Sequence, residues 1–123
     1  MTASGAVGQA NKIDAIAEIP FSFTVAGFTF QRGRYTVTRV SEILFRISNA
    51  HNESVLVLTT KVESKAREDT GKMVFHRYGR SYFLAELWVA ESDTGRKVFP
   101  SRAEHELLRK QKEMTIALLQ IAR

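Results

Sequence analysis

KMVFHRYGRSYFLAELWV, residues 72–89, is the stretch whose reading decides the fold. Two aromatic-rich runs flank Gly79-Arg80. A glycine leading a two-residue loop accepts the positive φ that hairpin turns prefer. The stretch therefore reads as a β-hairpin with Arg77 opposite Tyr82, His76 opposite Phe83, Phe75 opposite Leu84 and Val74 opposite Ala85. One face then carries Val74, His76, Phe83, Ala85, Leu87 and Val89. The other carries Met73, Phe75, Leu84 and Trp88. Both faces are largely apolar, which predicts a central hairpin covered on two sides.

Upstream, the chain continues in strand-like pieces. Ile13, Ile16 and Ile19 precede Pro20, which lacks an N–H and places this piece at a sheet edge or a kink. Phe21 to Val25 alternates with its aromatics inward. Gly27 offers a turn before Phe28-Thr29-Phe30, and Gln31 to Arg34 is the next turn. Tyr35 to Val40 is rich in β-branched residues. Ile43, Phe45 and Ile47 alternate inward, and Asn49 to Asn52 is a loop of turn formers. Val55 to Thr59 is apolar enough for a fully buried strand. Lys61 to Gly71 reads as a long exposed loop, and Ser92 to Gly95 as a turn.

Downstream the pattern changes. Ser101 with Glu104 three residues later is a capping box, which opens a helix from Arg102 to about Lys112. After Glu113 the chain is apolar on every side, from Met114 to Ala122, and suits either a buried helix end or a final strand. The chain thus divides into an N-terminal arm (1–12), a β-domain (13–100) and a C-terminal helix with an apolar tail (101–123). The expected fold is mainly β: a small antiparallel meander, sandwich or barrel, of about seven strands with one C-terminal helix.

Composition narrows the functional classes. The chain has 123 residues, 44% of them apolar, and a net charge of +5. That suits one domain with its own core and a mild affinity for polyanions at most. There is no cysteine, so disulfides and thiolate metal sites are excluded. No apolar run approaches the roughly 20 residues of a membrane-spanning helix. Met1 to Ala10 carry neither the basic start nor the apolar core of a signal peptide.

Motifs for catalysis are weak. Asp69-Thr70-Gly71 and Asp93-Thr94-Gly95 resemble the triplets that supply aspartic-protease carboxylates, but polar residues precede both and only 24 positions separate them. They read as turn formers. His51, His76 and His105 form no metal-ligand spacing. His76 lies among apolar neighbours and reads as a core histidine bonded to backbone or to a hydroxyl. No catalytic residue, cofactor site or metal site emerges.

Two surfaces remain. Arg77, Tyr78, Arg80 and Tyr82 cluster at the hairpin tip, a combination suited to phosphates and stacked bases, so nucleic acid or another polyanion is the alternative partner. Arg32, Arg34, Arg39 and Arg46 join them if their strands are neighbours. Met114, Ile116, Leu118, Leu119 and Ile121 form an apolar run too large for one side of a strand or helix, which marks an assembly interface and a homo-oligomer. A carrier of a small apolar ligand is a weaker third reading.

The series IPFSFTV (19–25), GRYTV (33–37), VFHRYG (74–79), YFL (82–84), Trp88 and SRAE (101–104) resembles a family of small uncharacterised proteins abundant in acidobacteria. The likeness spans about residues 18 to 106. It departs at Phe30 to Gly33, where relatives show a Pro-Ala-Gly turn. Members of that family begin with a signal peptide, so the resemblance implies an exported protein, periplasmic or extracellular. It implies no activity. The residues and the resemblance together point to a non-enzymatic β-domain that acts by protein interaction or self-assembly.

Overall fold

The computed structural model describes residues 12–68, 71–88, 92–110 and 114–121. Among them, ten strands and one helix follow in chain order. The strands are β1 (Lys12–Ile19), β2 (Phe23–Val25), β3 (Phe28–Phe30), β4 (Gly33–Arg39), β5 (Leu44–Asn49), β6 (Ser54–Glu68), β7 (Gly71–Tyr78), β8 (Ser81–Trp88), β9 (Ser92–Val98) and β10 (Thr115–Ile121). The helix, α1, is Arg102–Arg109. The mainly β fold with one C-terminal helix is as expected. The strand count exceeds seven in part because Ser92–Val98 forms β9 and the apolar tail forms β10, while Lys61–Glu68 lengthens β6.

The long strands pair antiparallel in the order β1-β4-β5-β6-β9-β8, and β7 and β10 continue from β8. The short β2–β3 hairpin joins beside β8 through one parallel pair, Thr24 with Phe83. The sheet curls until β10, at one end of this series, comes within 8 Å of β1 at the other, Cα to Cα. The result is a barrel-like meander around one core. Phe45, Ile47, Phe75 and Met73 are almost wholly buried in it, beside Phe23 and Ile19.

Local chemistry explains the turns. Ala26 and Gly27 both have positive φ, as a tight β2–β3 hairpin requires, and Gly79 (φ +64) leads the two-residue β7–β8 loop. Pro20 follows the last residue of β1 and breaks the strand there.

The central hairpin has the expected register at its tip: Arg77 faces Tyr82, His76 faces Phe83 and Phe75 faces Leu84. Beyond Phe75 it shifts. Val74 faces Glu86 and Met73 faces Leu87, because one extra residue of β8 bulges out near Ala85. The bulge exchanges the faces expected for Leu87 and Trp88. Leu87 joins Met73, Phe75 and Leu84 in the main core, while Trp88 packs on the outer face with Val74 and Ala85. Both faces are covered, as the sequence pattern predicts. Val89 lies outside the described residues.

Four other expectations change. Lys61 to Glu68 is not a loop, since β6 runs on and pairs with β9. Ser92 to Gly95 is not a turn, since it begins β9. An antiparallel ladder satisfies the backbone while its side chains remain polar, so polarity alone did not mark these as loops. Val55 to Thr59 is buried on one face only: Val55, Val57 and Thr59 point in, and Leu56 and Leu58 are half-exposed. The helix ends at Arg109, with Lys110 as its C-cap. Of the proposed arm, only Lys12 is described, and it starts β1. The apolar tail is a strand, β10, paired along its length with β7, so the last segment is part of the sheet.

Candidate functional site

Pairing with β7 decides which β10 side chains face out. Thr115 lies opposite Arg77, Ile116 opposite His76, Ala117 opposite Phe75, Leu118 opposite Val74 and Leu119 opposite Met73. Directly opposed residues share a face. Ala117 and Leu119 therefore point inward with Phe75 and Met73 and pack against the main core. Ile116 and Leu118 point outward and are 62% and 64% exposed. Met114, just before the strand, is 38% exposed. Of the expected assembly residues, Met114, Ile116 and Leu118 thus line an outer surface, whereas Leu119 belongs to the core side. Ile121 pairs with Gly71 in register, and its side chain lies outside the described residues.

The hairpin tip is organised differently from its sequence pattern. Tyr78 is buried, and its hydroxyl donates to Glu104 Oε2 at 2.8 Å. Tyr82 stacks on Phe21, with ring centroids 3.8 Å apart and planes 11° from parallel. Phe21 in turn meets Phe75 edge-on. The Arg77 guanidinium lies 5.6 Å from the Tyr82 ring centre, and its Nε donates to the Gly79 carbonyl at 2.8 Å. Arg77, Tyr82, Phe21 and Phe75 thus form a layered stack at one end of the core. Arg80 is exposed in the loop. Tyr78 is withdrawn from the group, and the Tyr82 ring is already stacked.

The outer face of β7 holds the most developed polar cluster. Glu104, on α1, is 2% exposed. Its Oε2 accepts from His76 Nδ1 at 2.6 Å and from the Tyr78 hydroxyl. With a carboxylate as acceptor, His76 carries a proton on Nδ1. Burial raises the Tyr78 phenol above its ordinary pKa, and the bond to Glu104 and its negative charge push the same way. Ser101 caps α1 by accepting from the Glu104 N–H at 3.2 Å. Glu104 is the one fully buried residue of α1, so a polar contact anchors this helix to the sheet.

His76 was expected to bond to backbone or a hydroxyl; its partner is a buried carboxylate. Glu104 escaped notice because a capping box explains a Ser-x-x-Glu spacing by itself. The available signal was its place one turn before the half-buried Leu107, on the side of the helix that meets the sheet. Arg96 was also missed. It is buried, its Nε donates to Thr59 Oγ1 at 3.0 Å, and Thr59 Oγ1 donates to the Ile43 carbonyl at 2.8 Å. Of the two Asp-Thr-Gly triplets, Gly95 lies in β9 facing Trp88, and Asp69 and Thr70 lie outside the described residues. Among the described residues no group of three His, Asp or Glu side chains is placed to hold a metal. No described helix is long and apolar enough to cross a membrane.

Comparison with protein-family models, with curated proteins and with solved structures finds no match to this chain.

Proposed function

We propose that this chain is a non-enzymatic β-domain, exported in its native setting, which acts by assembling with copies of itself through the outer face of β10. Export rests on the sequence resemblance. The observation that carries the assembly reading is the exposure of Ile116 and Leu118, two large apolar side chains at alternate positions of one strand. Each forgoes about 1.5–3 kcal/mol relative to burial. Large contiguous apolar patches on a surface mark interaction sites.

β10 pairs with β7 along one edge and comes near β1, and Ile116 and Leu118 offer the outer face of the strand for contact. A symmetric pair sets Ile116 and Leu118 against their own counterparts, which is the self-complementary contact that a two-fold axis provides. The mass in solution over rising concentration tests this. A concentration-dependent rise to a defined oligomer is expected, and Ile116→Asp with Leu118→Asp abolishes it without unfolding the chain.

A further inference from the structure

The hold of α1 on the sheet is unusually narrow. Among the described residues no strand packs along its length. Ala103, His105 and Glu106 are exposed, Leu107 is half-buried and Leu108 is 46% exposed. The anchor is one carboxylate: Glu104 Oε2 accepts from His76 Nδ1 at 2.6 Å and from the Tyr78 hydroxyl at 2.8 Å. Burying a carboxylate costs hydration, and its partners offset little more than that cost. Release of α1 returns Glu104, His76 and the Tyr78 hydroxyl to water. Segments with so few buried apolar contacts open locally, at the low end of a protein's stability.

The anchor sits on the assembly face. His76 lies directly opposite Ile116 in the β7–β10 ladder, so the two share the outer surface. Tyr78, two residues on, meets the same carboxylate. Ile116, Leu118 and Met114 are few against the about 20–30 residues a side, and ~800 Å² per partner, of a standard interface. The adjoining outer surface of β7 is where this face can grow, and the first turn of α1 occupies it. We propose that α1 is an autoinhibitory latch. Closed, it covers Tyr78 and part of His76. Released, it adds the outer surface of β7 to the face that a second copy of the chain covers. The inference rests on the assembly reading above. A second copy favours the released state because only that state offers the added contacts.

Two measurements on the full chain test this. The first is hydrogen exchange of Glu104→Gln made together with Ile116→Asp and Leu118→Asp, which remove the apolar pair from the face. Amides 105–110 of α1 are expected to exchange about tenfold faster, the effect of losing a charged acceptor, while β5 and β7 keep their protection. The second is the solution mass of Glu104→Gln with the face intact. A symmetric pair needs both latches open, so the apparent affinity carries the released fraction twice and rises about a hundredfold. Ser101→Ala weakens the start of the helix without touching the face, and shifts both readouts the same way. Exchange in α1 that rises only together with that of β5 and β7, or an unchanged assembly concentration in Glu104→Gln, overturns the latch and leaves the β10 face standing. A wild type and a Glu104→Gln variant that are both monomeric throughout remove the β10 face, and the latch falls with it.

Discussion

Strands β7 and β10 lie side by side and read alike, yet their outer faces meet different surroundings. Met73, Val74 and Phe75 of β7 are all buried, because the main core lies on one side and a second layer on the other. That layer is the Val74, Ala85 and Trp88 cluster, together with Glu104 reaching from α1 to His76 and Tyr78. On β10 the inner residues Ala117 and Leu119 touch the core, while Ile116 and Leu118 stand in the open. The lesson is that apolar content marks a strand as wanting cover, and its neighbours decide on how many sides it is covered within one chain.

The largest expected effect lies on the shared inner face. Phe75→Ala removes a fully buried ring that contacts Phe21 and Phe23, and destabilises the fold by about 3–5 kcal/mol in denaturant titration. A loss below 1 kcal/mol shows that the inner face of β7 is not the centre of the core.

The outer face of β7 comes next. A Cβ placed on Gly95 falls 2.5 Å from two atoms of the Trp88 ring, so Gly95→Ala forces the indole to move. It is expected to destabilise by about 1–3 kcal/mol, although alanine otherwise suits a strand better than glycine. His76→Phe leaves the buried Glu104 carboxylate with one donor fewer and costs about 1–3 kcal/mol. If His76→Phe is neutral in urea titration, the outer face of β7 is held by packing alone, and the contrast with β10 weakens.

Alkali gives a smaller, specific signal. The Tyr78 phenol is raised in the folded state, so its contribution is complete below the unfolded value near pH 10 and is lost as pH rises through the folded value. Tyr35 is also raised, mainly by burial. Phenolate absorbance should show both rings ionising above the ordinary range, and Tyr78→Phe should remove one of these steps.

Much of this contrast was legible in the sequence. The hairpin tip register followed from Gly79-Arg80, the main core from the alternation of Phe23, Phe45 and Ile47, and the helix start from Ser101 and Glu104. The bulge near Ala85 was not legible, because an inserted residue leaves the composition of both faces apolar either way. Nor was the pairing of Lys61–Glu68 with β9, since the polar side chains of an exposed ladder look like a loop. The tail illustrates the same limit: Met114 to Ala122 suited helix and strand equally, and only the free edge of β7 made it a strand. At the candidate site, the outward position of Ile116 and Leu118 and the inward position of Leu119 depend on that pairing and are not readable from the tail alone.

The central claim is that β10 offers a face that only another molecule covers. The most direct measurement is the solution mass of the wild-type chain, across a wide concentration range, beside Ile116→Asp with Leu118→Asp. The account predicts a wild-type oligomer and a folded monomeric variant with nearly unchanged denaturant stability. A wild-type chain that stays monomeric at the highest concentration, or a variant that keeps the wild-type mass, contradicts it.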